Sequence, residues 1–176
     1  MSKPDLPAPE GDSEVPAGVP DPLVPDAPAR CYFEDMTVGR QWVTQRRTIT
    51  EADVVSFAGL SGDFNPLHVD ETFAASGPFG RRVVHGLLVL SVATGLRQQS
   101  GVFYGVVRAF AEMRNWAFKK PVFIGDTITA VTTVVNARAT SKPGQGIVEQ
   151  RVDVVNQDGE IVQSGIFVTL IAARPQ

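Results

Sequence analysis

The 176-residue chain has one cysteine, two histidines, two tyrosines and no long run of apolar residues. A single cysteine, Cys31, rules out an internal disulfide framework and a cysteine-rich zinc site, and this predicts a reducing, cytoplasmic setting. No stretch reaches the roughly 18 continuous apolar residues of a membrane span, and residues 1 to 30 lack the apolar segment of a secretory signal. The reading is a protein with no membrane role. Basic excess is missing too: Lys and Arg total 16 against 19 Asp and Glu, for a net charge of -3. With no Lys/Arg stripe, this composition speaks against nucleic acid or an anionic membrane as partner and leaves a small molecule as the expected one.

The chain has 43% hydrophobic residues, enough for one core. Eight of the 13 prolines fall in the first 30 residues, among Asp, Glu, Ala and Gly and without hydrophobic period. Such a segment buries too little surface to offset its chain entropy, so residues 1 to 30 read as a disordered, Pro-rich tail and residues 31 to 176 as the folded domain. Deleting residues 1 to 28 is therefore expected to leave activity and thermal midpoint essentially unchanged. A midpoint lower by several degrees would show that the tail docks on the domain.

From Thr50 the pattern becomes helical, with Thr50 and Asp53 as a capping box and Val54, Phe57 and Ala58 at helical spacing. Gly62 and Pro66 stop it, so Asp63 and His68 flank a turn. Asp70 can cap a short helix through Ala75. Residues 86 to 99 are apolar nearly all round yet too short for a bilayer, which predicts a helix buried on several sides. Alternating runs at 106 to 118, 122 to 137, 147 to 156 and 160 to 172 predict strands, with Gln157-Asp158-Gly159 as a hairpin turn and a further strand at about 41 to 49. Strands joined by short turns pair antiparallel, and with one core helix the fold class is α+β.

Both histidines lie close in sequence, and His68 shares its turn with Asp63. A carboxylate and an imidazole near neutral pH are a general acid–base pair. Asn65 and Pro66 are also ordinary turn formers, so the turn alone does not require chemistry. His85, beside Val83 and Val84, reads as a hydrogen-bonded structural histidine. A zinc site on Asp63, His68 and His85 has suitable ligand types but no known metal spacing, and none is expected.

The string Phe57-Ala58-x-x-Ser61-Gly62-Asp63-x-Asn65-Pro66-Leu67-His68, with V-V-H-G at 83 to 86 and K-P-V-F-I-G-D at 120 to 126, resembles the signature of the MaoC-like (R)-specific enoyl-CoA hydratases. The resemblance spans most of residues 32 to 172. It implies a hot-dog fold, a long antiparallel sheet wrapped around a central helix and normally paired into a homodimer. The implied reaction is reversible syn addition of water across trans-2-enoyl-CoA, without metal or redox cofactor. Asp63 and His68 match the family's catalytic dyad, and Gly86 matches the residue whose backbone N–H binds the developing oxyanion. Asn65 matches an asparagine expected to orient the dyad or its water. Thr94 stands where some relatives carry a hydroxyl supporting the aspartate; a bond to its own i−4 carbonyl is the alternative. Arg81, Arg82, Lys119 and Lys120 can meet CoA phosphates or simply face solvent.

The acyl carrier is left open between CoA and an acyl-carrier protein, and so is a branched or dicarboxylic substrate. A hot-dog thioesterase and a non-catalytic acyl-binding subunit are the rivals from other classes. The intact Asp63–His68 string favours hydration or dehydration.

Overall fold

The computed structural model describes residues 30–175, so the expectation of a disordered tail falls on residues that lie outside the described part. Around α4 (Gly86–Gln99) curls an antiparallel sheet of β1 (Gln41–Val43), β3 (Val107–Phe118), β4 (Thr127–Ala139), β5 (Gln145–Val155) and β6 (Ile161–Ala172), in the order β1-β4-β5-β6-β3. The short β2 (Arg47–Thr48) pairs β4 off this path. This is the hot-dog arrangement.

Local signals explain most elements. In α1 (Glu51–Ser61) the Thr50 hydroxyl accepts from the Asp53 N–H, the Asp53 carboxylate accepts from the Thr50 N–H, and Gly62 closes the helix at φ +76°. The Asp70 side chain accepts from the Phe73 N–H and starts α3 (Glu71–Ala75). Alternation along β5 turns Val148, Gln150, Val152 and Val154 inward. Val154 joins Val89, Ala93, Leu96 and Ile128 in the principal core. Each fully buried aliphatic side chain there contributes on the order of 1.5–3 kcal/mol.

Several expectations needed correction. The run at 41 to 49 breaks into two short strands, both held by β4. The run from 122 starts as a turn: Gly125 takes φ +96°, Asp126 accepts from the Phe123 N–H, and β4 begins only at Thr127. β3 pairs with β6 rather than with its sequence neighbour β4, because the turn-rich 119–126 connection carries the chain past β6 and β5 to the place between β1 and β5. As expected, α4 is buried along much of its surface but not all round it. Leu88, Val89, Val92, Ala93 and Leu96 are buried, but Leu87 is 57% exposed and Ser91 and Gln98 also face outward.

A second cluster, including Cys31, Trp42, Phe103 and Ile171, closes the far end of the sheet. Burial pushes the Cys31 thiol up, which makes it a poor nucleophile. Beside this cluster lies Arg97, buried with its guanidinium near the rings of Phe103 and Phe167, at 4.6 and 4.9 Å from their centroids. It donates to Thr132 Oγ1 at 3.0 Å and to Gln150 Oε1. Desolvation pushes its pKa down to about 9, still far enough above neutral that the group stays charged at pH 7. Arg97→Met keeps much of the volume but strands two buried acceptors, each costing about 1–3 kcal/mol. Relief from burying a charge offsets part of that, so a net loss of roughly 2 kcal/mol is expected in urea unfolding.

Candidate active site

Asp63 and His68 are brought together by a tight run of local capping bonds. After α1 ends at Gly62, the Asp63 N–H bonds the Ser61 hydroxyl at 3.2 Å, and the Asp63 carboxylate accepts from the Asn65 N–H at 3.3 Å. The Asn65 side-chain carbonyl accepts from the Leu67 N–H at 3.0 Å, capping α2 (Pro66–Val69), and Pro66 occupies its first turn. Asn65 therefore acts on both members of the pair. Its N–H touches the carboxylate and its side chain caps the turn that carries His68.

His68 is further fixed from outside that turn. Its Nδ1 lies 2.7 Å from the Val83 carbonyl, which can only accept, so Nδ1 carries the proton and Nε2 is the free ring nitrogen. The His85 ring stacks on it, with centroids 3.8 Å apart and planes at 28°. His85 in turn is buried, packs against Phe57 and donates Nε2–H to the Asp63 backbone carbonyl at 3.0 Å. This matches the structural reading of His85. One histidine thus supports the backbone of Asp63 and the ring of His68 together, while its Nδ1 is buried without a partner.

Asp63, His68 and His85 each offer one potential ligand atom within 4.8 Å of the others. Two imidazoles on one tetrahedral zinc, with Zn–N near 2.0–2.1 Å, hold their ring centres roughly 5 Å apart or more. The 3.8 Å stack is too close for that, and both rings already spend one nitrogen on a carbonyl. The 4.8 Å grouping leaves room for one water between the Asp63 carboxylate and the His68 ring.

His68 lines a cleft of about 460 Å³ that reaches Gly86 and is walled by Phe79, Leu87, Phe118 and Val122, with Lys119 and Lys120 at its rim. Gly86 is the first residue of α4, so its N–H points out of the helix at the positive end of the dipole. A Cβ on Gly86 would lie 2.6 Å from the Phe118 ring, so only glycine allows this ring over the helix end.

The Thr94 hydroxyl donates to the Leu90 carbonyl at 3.0 Å within α4. Of the four cations, Arg82 is bound by Glu51 and Glu71, Lys120 pairs with Glu160 at 2.7 Å, and Arg81 stands 3.7 Å over the Phe123 ring. The sequence reading missed the Val83 carbonyl, which no side chain announces, and Phe118, one aromatic among several. It also missed Gln163, whose signal was a lone amide at an inward position of an apolar strand.

The model of the MaoC like domain family matches residues 34–156. Protein MaoC of Klebsiella aerogenes is 48% identical over 101 residues, which cover 57% of this chain and 30% of that protein. An (R)-specific enoyl-CoA hydratase of Rhodospirillum rubrum is 41% identical over 107 residues, covering 58% of this chain and 69% of the relative. Among solved structures, a monoamine oxidase regulatory protein from Archaeoglobus superposes with a TM-score of 0.76 at 38% identity, over 83% of this chain and 97% of that one.

Proposed function

Because this chain belongs to the MaoC-like domain family, we propose that it adds water across the double bond of a trans-2-enoyl thioester to give the (R)-3-hydroxyacyl thioester, and catalyses the reverse dehydration. The similarity to an (R)-specific enoyl-CoA hydratase supports this reading. The carrying observation is that the Asp63 carboxylate lies within 4.8 Å of a ring nitrogen of His68, whose side chain lines the cleft with Nδ1 engaged and Nε2 free. Hydration needs a base for the water that attacks C3 and an acid that delivers a proton to C2. A water held between the carboxylate and Nε2 meets both needs on one face of the alkene, as syn addition requires. Negative charge developing on the thioester oxygen is met by the Gly86 N–H.

The cleft has an apolar wall for an acyl chain, and Lys119 and Lys120 at its rim suit the anionic carrier of such a thioester. The deciding assay follows loss of conjugated enoyl-thioester absorbance with purified protein and crotonyl-CoA, with the product resolved by chirality. Formation of (R)-3-hydroxybutyryl-CoA is expected. Release of free CoA thiol instead would make the protein a thioesterase, and no reaction with either outcome would leave a non-catalytic acyl-binding role.

The protein is further proposed to act as a homodimer in the cytoplasm. Among the described residues, no helix is long and apolar enough to cross a membrane. Edge strand β3 leaves Phe110, Met113 and Phe118 exposed, and its ladder to β6 is interrupted by three register shifts. Near the dyad, Leu60, Phe64 and Phe79 are also exposed. An apolar edge and an apolar collar call for cover, and two-fold pairing is the commonest form of it. Light scattering at micromolar concentration should give twice the 18.9 kDa chain mass or a higher even multiple. A fully active monomer would overturn this assembly.

A further inference from the structure

Gln163 touches no group of the dyad, yet it is buried at the back of the same cleft, between an edge strand and the helix end. Its Oε1 accepts from Trp116 Nε1 of β3 at 3.2 Å, and its Nε2 donates to the Gly86 carbonyl at 2.9 Å. The indole N–H only donates and the peptide carbonyl only accepts, so these two partners fix which way the amide faces. Gly86 needs such a hold. It is the most flexible residue type at a helix end, and the cap residue His85 makes no side-chain bond to the first turn. No side chain of the local sequence caps this end: the peptide carrying the Gly86 N–H is held through its His85 carbonyl by the Leu88 and Val89 N–H groups alone, and β6 adds a side-chain bond at the next carbonyl, that of Gly86.

We propose that Gln163 is a positioning residue that clamps the Gly86 backbone, so that the Gly86 N–H stays aimed at the thioester oxygen. The inference rests on the reading of Gly86 as oxyanion donor. Misplacing a reacting group by about 1 Å can cost 10²-fold, and removing an oxyanion donor altogether costs 10²–10³-fold. Loosening the donor without deleting it is accordingly expected to lower kcat by about 10- to 100-fold, with KM within roughly twofold, because the bond to the oxygen strengthens mainly in the transition state.

The test uses the full chain with Gln163→Met, which keeps volume and removes both bonds, and Trp116→Phe, which leaves Gln163 in place but removes the group that orients it. Crotonyl-CoA kinetics are read beside amide hydrogen exchange at Leu88 and Val89, whose N–H groups bond the His85 carbonyl of the very peptide that carries the Gly86 N–H. Faster exchange at these two positions, with the kcat-specific loss, is expected in both variants, the effect of Trp116→Phe being smaller. Wild-type kcat in Gln163→Met, or in Trp116→Phe should the methionine variant not fold, would overturn the clamp. So would an equal loss in kcat and gain in KM. If the wild-type protein does not hydrate crotonyl-CoA, the oxyanion reading fails by itself. The exchange measurement then still reports whether Gln163 holds the helix end.

Discussion

Asp63→Asn and His68→Gln are each expected to lower kcat for enoyl-CoA hydration by about 10²–10⁴-fold, the range of a positioned general acid or base. Neither change should unfold the domain. Asparagine retains an oxygen for the 3.3 Å bond from the Asn65 N–H, and Asp63 is exposed, so little packing is lost. His68 is half-buried, and its replacement gives up the stack on His85 and the bond to Val83, but the buried ring of His85 keeps its bond to the Asp63 carbonyl. A thermal midpoint within a few degrees of wild type, alongside the lost turnover, would locate the effect in the chemistry. The double variant should be scarcely slower than the poorer single one, because two groups proposed to hold one water would act as a unit. Near wild-type kcat in either single variant would remove that residue from the dyad.

Gly86→Ala is expected to cost on the order of 10²-fold in kcat/KM while leaving the fold intact. Alanine is the better helix former, and Gly86 does not hold a positive φ, so the backbone accepts a side chain. The obstacle is the Phe118 ring, which the new Cβ would meet at 2.6 Å. Phe118 is 56% exposed, on the edge strand, and its ring can swing away at small cost to stability. The methyl then stands beside the Gly86 N–H, and the ring has left its place in the cleft wall, so the thioester oxygen is held too far from its donor. Trimming the ring in Gly86→Ala/Phe118→Ala separates the two effects. Recovery of activity in the double variant would show that the displaced ring was the block, whereas a persistent defect assigns it to the methyl. An unchanged kcat/KM in Gly86→Ala itself would show that the thioester does not approach this helix end.

The turn that carries Asp63 and His68 was legible in the sequence because its capping bonds are local. Ser61, Asp63, Asn65 and Leu67 exchange bonds over two positions, and Pro66 sets the start of α2. Thr50 and Asp53 at one end and Gly62 at the other delimit α1 for the same reason. Residues 86 to 99 form one helix, as their predominantly apolar run, free of proline, predicts. By contrast, the break between β1 and β2, the turn at Phe123 to Asp126 and the crossing of β3 to β6 depend on which strand edge is free when the sheet closes, and no periodicity encodes that.

The sequence by itself determined the helices, the turn that carries Asp63 and His68 and the glycine at the head of the core helix, since each depends on side chains within a few residues. Tertiary structure alone decided that Val83 orders the His68 ring, that His85 stacks beneath it, that Phe118 lies over Gly86 and that Gln163 ties this helix end to β6. Those contacts join residues 15 to 77 positions apart, and the first and last end on backbone carbonyls, which every residue possesses and none advertises. Chain closure around α4 is what selects them.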